Sequence, residues 1–404
     1  MWREVAARYG FEEWDGPPLE PLELYVEKSG PEIVEQLYNF EDKGGRAVSL
    51  RPEMTPTLAR MVGARARALK KPIRWFTIGQ MFRYERQQRG RLREHYQLNM
   101  DLIGEPGPLA DAELIAAAID LLRGFGFDQQ QVRARVSDRR LAHALLAGQG
   151  LDEAQIAASY AHIDKLGREA RDTLVEGLAQ RAGIGPDAAE RALAIGELRD
   201  LDQARAALAA SDVAAIEPLA ECVEMLDAMG LGDYVDVDLS IVRGLAYYTG
   251  TVFELFDAGR SLRAICGGGR YDGLLGSLGG VDMPATGFAM GDVVLGELIR
   301  EAGAAPDRTG QLDAFLVAVT GEDLPHVLRL AHELRDGGLR VEFALKQQSV
   351  GKQLKLAAAR EAQRAVLVGP DERAAGAAVV RDLASSSEEQ VRFERLAAHL
   401  GARG

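Results

Sequence analysis

At 404 residues the chain is long enough for two or three domains, and 47% hydrophobic with 27% charged residues is an ordinary globular composition. A formal net charge of −13 argues against a generic nucleic-acid binder, because phosphate contacts need Lys and Arg. No apolar run reaches the roughly 18 residues of a membrane span. Cys222 and Cys266 give neither a disulfide framework nor metal-ligand spacing, so no metal site is expected and a reducing cytoplasm is the expected compartment.

In chain order, MWREVAARYGFEEW lacks the basic-then-apolar layout of a secretory signal. AVSLRPEMTPTLAR reads as a strand, a proline-marked turn and a helix start. Glu53 and Thr55 offer a carboxylate for an ammonium and a hydroxyl for orientation. Thr55 also suits a helix cap with Pro56 at the first helical position. Between Arg60 and Arg93 eleven basic residues face one acidic residue, which leaves about −23 for the rest of the chain. Within that stretch FTIGQMFRYE and REHYQLNMDLIG alternate at period two, the mark of half-buried strands. Tyr96, Leu98, Met100 and Leu102 point one way, and Arg93, His95, Gln97, Asn99 and Asp101 the other. Phe82 and Tyr84 share one face of the first strand, Arg83 and Glu85 its opposite face. The expectation is an antiparallel hairpin with an apolar back, a polar front and a basic tip that turns at Gly90. Its polar front is either a binding floor for a charged, hydrogen-bonding ligand or a solvated surface.

Residues 149–230 are Ala-rich with apolar spacing of three and four, a helical insertion. LSIVRGLAYYTGTVFELF follows, where Arg243 precedes Gly244 at a bend and Tyr247 and Tyr248 make an aromatic wall or core. The glycines of RAICGGGRYDGLLGSLGG allow close backbone approach, and the stretch lacks the Gly-Lys-Ser/Thr ending of a P-loop. ATGFAMGDVVLGELI reads as a strand leading into a helix. Residues 303–311, GAAPDRTGQ, read as a linker. Beyond it LDAFLVAV, LRVEFAL and RAVLVG alternate with helical patterns from Leu324, Val350 and Glu388, an α/β unit with a mostly parallel sheet.

Phe-Arg-x-Glu, a basic loop with Gly-Arg-x-Arg, then Gln-x-x-x-Asp resembles motif 2 of class II aminoacyl-tRNA synthetases, in the version of the histidyl-tRNA synthetases. Arg-Pro-Glu-x-Thr, Arg-Gly-Leu-x-Tyr-Tyr, the Gly-rich stretch and a motif 3-like segment stand in the family's order. The resemblance covers nearly the whole chain. It implies an α+β catalytic domain, an antiparallel sheet flanked by helices, in residues 1–148 and 231–302. It further implies a helical insertion over 149–230 and a C-terminal α/β anticodon-binding domain over 312–404. The implied reaction activates L-histidine with ATP and Mg²⁺, then transfers it to tRNA(His), in a homodimer. Arg83 and Arg243 are the implied catalytic residues. Glu53, Thr55, Gln97, Asp101, Arg243, Tyr247, Tyr248 and Tyr271 are implied to bind histidine, and Arg83, Glu85 and Arg91 to bind ATP. The chain departs from the family pattern at Ala246, where Asp is usual, and at Val294, where motif 3 carries Arg. The start near Pro17 is expected to be a shortened motif 1. The insertion is implied to approach the tRNA acceptor arm, or is a plain spacer. The alternative function is that of a synthetase-like paralogue, a regulatory subunit of ATP phosphoribosyltransferase or a tRNA-binding protein.

Overall fold

Period-two alternation in residues 73–103 yields two ten-residue strands, paired antiparallel from Ile73↔Ile103 to Phe82↔Glu94. They sit within a computed structural model that describes residues 1–29, 31–84, 90–210, 212–242, 248–259, 262–304 and 312–401. The chain forms two compact units, Met1–Ala305 and Pro306–Gly404.

The strands of the first unit are β1 (Glu12–Glu13), β2 (Leu19–Pro21), β3 (Asn39–Glu41), β4 (Ala47–Leu50), β5 (Ile73–Phe82), β6 (Glu94–Ile103), β7 (Val132–Asp138), β8 (Val235–Val237), β9 (Thr251–Asp257), β10 (Cys266–Arg270) and β11 (Ala285–Gly291). Its helices are α1 (Trp2–Arg8), α2 (Leu22–Ser29), α3 (Thr55–Arg65), α4 (Pro108–Arg123), α5 (Arg139–Ala147), α6 (Glu153–Ile163), α7 (Arg171–Ala182), α8 (Pro186–Ile195), α9 (Leu201–Ala207), α10 (Glu217–Ala228), α11 (Leu274–Gly279) and α12 (Asp292–Glu301). Eight strands form one sheet in the order β1-β5-β6-β11-β10-β9-β7-β8. Every inner pairing is antiparallel, and only the edge pairs β1/β5 and β7/β8 are parallel. A small sheet, β2-β4-β3, stands apart.

Helix α4 covers one face of the large sheet. Pro108 opens it after an extended Gly107, and its Leu, Ile and Ala side chains bury against Leu98, Met100 and Leu102 of β6. Gln97, Asn99 and Asp101 therefore point to the opposite face. Arg270, at the end of β10, pins the sheet to the start of α4. Its guanidinium, 1% exposed, pairs with Asp111 at 3.1 Å and donates to the carbonyls of Glu105 and Gly107 at 3.0 and 2.9 Å. That anchor fixes the backbone that carries the next residue, Tyr271.

The stretch between α5 and β8 is helical, α6 to α10. Asp152 and Gln155 close a capping box at its first helix. Helix α10 packs on α4 and β7, and one apolar core runs from the sheet through α4 into these helices. Thr55 is not the cap of α3: Met54 holds that position with no side-chain cap bond, and Thr55 is the first helical residue. Strand β5 ends at Phe82, so Tyr84 does not share a buried back with it. The Tyr84 amide bonds to the Gln36 carbonyl instead, and its ring is 53% exposed under the Arg93 guanidinium, 4.7 Å away.

The second unit has strands β12 (Ala314–Ala318), β13 (Val341–Phe343), β14 (Arg364–Val368), β15 (Ala377–Asp382) and β16 (Glu388–Arg392). Its helices are α13 (Leu324–Asp336), α14 (Val350–Ala359), α15 (Pro370–Ala375) and α16 (Phe393–Gly401). The sheet order is β13-β12-β14-β15-β16, parallel over the first three strands and antiparallel over the last two. The sheet is thus mixed rather than mostly parallel. The segment from Glu388 is an edge strand, and the helix starts only at Phe393. Solvent covers that edge and only Val391 is buried, so the strand has no apolar period to read.

Candidate active site

On the sheet face that α4 leaves uncovered, β6, β10 and β11 floor a cleft of about 240 Å³. Seven residues singled out by the sequence line it: Glu53, Thr55, Arg83, Gln97, Asp101, Tyr248 and Tyr271. Asn99, Gly267, Gly287, Phe288 and Ala289 complete the lining. The register explains the floor. Gln97, Asn99 and Asp101 lie opposite Gly291, Ala289 and Gly287, so large polar side chains of β6 rise beside a strand of small residues. A Cβ on Gly287 would stand 2.1 Å from Asp101 Oδ1, so any larger residue there collides with the carboxylate.

Asp101 is 4% exposed, and the Tyr271 hydroxyl donates to its Oδ1. Burial pushes the Asp101 carboxyl up to about 7, against the pull of that hydrogen bond and of the Lys28 charge. Burial and the neighbouring Asp101 raise the Tyr271 phenol well above its ordinary value, so its hydroxyl stays a donor. Glu53 is held from behind by the Lys28 ammonium, whose side chain is 1% exposed. Burial lowers the lysine's pKa, and the charge of Glu53 opposes that. Arg83 reaches the cleft from the end of β5, with its Nε donating to the Pro52 carbonyl at 3.1 Å. His95, half-buried next along the hairpin, is brought down to about 4 by burial and the Arg83 charge, so its ring is neutral.

Two buried oxygens on the floor, Gln97 Oε1 and Asn99 Oδ1, have no hydrogen-bond partner among the described residues. Buried acceptors of this kind ordinarily carry a partner. Together with two carboxylates they make an acceptor-rich pocket. It fits a small cation with several N–H groups and puts an arginine at one side for an anion.

Glu85, Arg243 and Tyr247 lie outside the described residues. Arg91 does not line the cleft. It stands exposed just past Gly90, which takes a left-handed φ of +73° at the hairpin turn. Sequence reasoning missed Lys28, which sits near the end of α2 in LYVEKS and carries no pattern of its own. Asn99 was legible as part of the polar face but was not assigned a role.

Comparison with known proteins bears on both units. The histidyl-tRNA synthetase family model matches residues 2–295, and that of the anticodon binding domain matches residues 313–403. The chain belongs to the histidyl-tRNA synthetase family. A histidine–tRNA ligase of Opitutus terrae is 45% identical over 402 residues, covering 98% of this chain and 92% of that one. A chloroplastic/mitochondrial histidine–tRNA ligase of Arabidopsis thaliana is 40% identical over 395 residues, covering 98% of this chain and 81% of the other. The crystal structure of a histidyl-tRNA synthetase from a Nostoc species superposes with a TM-score of 0.86 at 24% identity, over 99% of this chain and 93% of that one. The fold is that of the class II synthetases: a large antiparallel-dominated sheet with helices, and an anticodon-binding domain with a separate sheet. No helix among the described residues is long and apolar enough to cross a membrane. Val294, expected from the sequence to depart from motif 3, falls in the first turn of α12 with its side chain buried.

Proposed function

We propose that this chain is a histidine–tRNA ligase, which condenses L-histidine with ATP to histidyl-adenylate and passes the histidyl group to the 3′ end of tRNA(His). The observation that carries the reading is the acceptor-rich cleft floor. Histidine offers an ammonium and a ring N–H, and Glu53, Gln97, Asn99 and Asp101 offer acceptors at both. An apolar ring of similar size would leave Gln97 Oε1 and Asn99 Oδ1 buried without a donor, the kind of loss by which a site rejects an isostere.

In the first step a histidine carboxylate oxygen attacks the α-phosphorus and pyrophosphate leaves. Arg83, at the cleft wall, neutralises charge that builds on the α-phosphate, and Arg243 is assigned to the opposite side. Glu53, Thr55, Gln97, Asp101, Tyr248 and Tyr271 hold the amino acid, and Tyr247 is assigned the same role. Positioning and charge neutralisation carry the step, with no covalent enzyme intermediate. In the second step a hydroxyl of the terminal ribose attacks the histidyl carbonyl and AMP leaves. Arg91 and Glu85 are assigned to the nucleotide.

A Mg²⁺ accompanying ATP neutralises its phosphates. Among the described residues no three His, Cys, Asp or Glu side chains stand together to hold an ion. The phosphates and water would therefore carry it, with one or two carboxylates at most. Residues 1–148 and 231–302 are read as catalytic, 149–230 as the insertion facing the acceptor arm, 303–311 as the linker and 312–404 as the anticodon grip. The protein works in the cytoplasm as a homodimer. The groove lined by Leu19, Leu22, Val26 and Val48 and rimmed by Glu23, Asp42 and Arg46, with Phe40 of the same small sheet 52% exposed, is a partly apolar surface that a second copy would cover.

The test is histidine-dependent ATP–pyrophosphate exchange, followed by charging of a tRNA(His) transcript. Exchange driven by histidine and charging of that tRNA are the expected results. No exchange with any amino acid would overturn the proposal.

A further inference from the structure

Three segments meet at the end of the cleft away from Asp101. Gln97 pairs with Gly291, and the Tyr96 amide donates to Asp292 Oδ1 at 3.2 Å, so the start of α12 lies against the base of the basic hairpin. The third segment is the approach to β10. A Cβ built on Gly90, at the hairpin turn, would lie 3.5 Å from Arg263 Cδ and 3.6 Å from Val294 Cγ2. The stem of Arg263 therefore comes up to the same point as the Val294 methyls and the hairpin turn.

That position has a chemical reading. Val294 presents methyl groups where the hairpin, with Arg91 and Arg93, gathers positive charge. Arg263 is exposed, and no hydrogen bond or ion pair fixes its guanidinium among the described residues. Glu297 Oε2 comes within 3.9 Å of the same built Cβ, so the cation has an acid nearby without a formed pair to it. A long cationic side chain commonly lays its stem on an apolar wall and keeps its head free. A planar guanidinium held that way is suited to grip phosphate oxygens in pairs.

We propose that Arg263 binds the outer phosphates of the nucleoside triphosphate and supplies from the β10 side the guanidinium that Val294 lacks on α12. The direction of the substrate supports this, given the reading of the cleft above on which the proposal rests. Histidine occupies the Asp101–Tyr271 end and its carboxylate faces Arg83. The triphosphate then runs from Arg83 toward the hairpin turn, where Gly90, Val294 and Arg263 converge. Arg263 does not line the histidine cavity, so it acts on ATP and pyrophosphate and not on the amino acid.

The experiment uses the full chain and histidine-dependent pyrophosphate exchange. Arg263→Ala raises the KM for ATP by about tenfold or more, the loss expected for one charge-assisted contact. It leaves the KM for histidine and the thermal midpoint unchanged. Competitive inhibition by AMP, which has no outer phosphates, keeps its wild-type strength. Arg263→Lys recovers part of the loss, and Val294→Arg in the Arg263→Ala background recovers most of it by returning a guanidinium to the same space from α12. An unchanged KM for ATP in Arg263→Ala would overturn the proposal. So would equal weakening of ATP and AMP, which marks a structural role. Parent protein without histidine-dependent exchange would instead count against the histidine–tRNA ligase reading itself.

Discussion

Asp101 is placed for binding at a cost to the empty protein, and Asp101→Asn exposes that cost. Its carboxyl titrates near 7 in the folded chain against an ordinary value of 3.8. A folded pKa raised in this way means that the native state keeps a proton the unfolded chain has already lost. The contribution of Asp101 to stability is then most favourable at low pH and falls as pH climbs from about 4 to about 7, levelling above that. The gap of about three pH units corresponds to a ceiling on the order of 4 kcal/mol. Halving it for relaxation and water entry leaves about 2 kcal/mol, or roughly 4 °C in the unfolding midpoint. Asparagine mimics the neutral acid and can still accept the Tyr271 hydrogen bond. Asp101→Asn should therefore melt higher than the parent at pH 8, with the difference shrinking steadily toward pH 4. The same substitution should raise the histidine KM by more than about tenfold, since a dipole replaces the charge that meets a cation. Thermal melts of both proteins across pH 4–8, without histidine, measure the first effect. Parallel curves, with no opening gap, would refute the reasoning about Asp101.

Arg83→Ala should cut histidine-dependent exchange by at least roughly 100-fold, the usual loss of one donor aimed at developing charge, with a melting midpoint close to that of the parent. Near-normal exchange would remove Arg83 from the phosphate. Lys28→Met should both lower stability and raise the histidine KM, because a buried pair that loses one partner strands the other, at a cost of roughly 3 kcal/mol. Adding Glu53→Gln to it should restore the melt but not the KM, and restoration of both would make the pair purely structural. Removal of residues 312–404 should spare exchange and sharply reduce charging of tRNA, since Met1–Ala305 is compact by itself. Equal loss of both steps in a folded truncation would mean that the second unit supports the first.

The hairpin was legible because its period of two survives burial on both faces: apolar residues go to α4 and polar ones to the cleft. Gln97 and Asp101 could be assigned to the site for that reason. Lys28 could not, because nothing in LYVEKS foretells that a chain turn will press its ammonium onto Glu53, twenty-five positions away. Tyr84 broke the alternation for a related reason, since its amide is claimed by Gln36 before β5 can continue. In the second unit β12 and β14 were readable as apolar runs. The edge strand β16, bathed on one side, has a composition that fits helix as readily as strand.

The shared core beneath the helical insertion bears on how this chain tolerates change. Leu219, Cys222 and Leu226 of α10 are fully buried in the same apolar mass as the α4 residues that back the catalytic sheet. The insertion is thus no appendage hung from two strands but a wall of the building that houses the cleft. Surgical removal of it would open α4 to water and take the floor under Gln97 and Asp101 with it. Substitutions on the outward faces of α7 and α9 should therefore cost less than those on the buried face of α10. The buried face of α10 answers to the sheet.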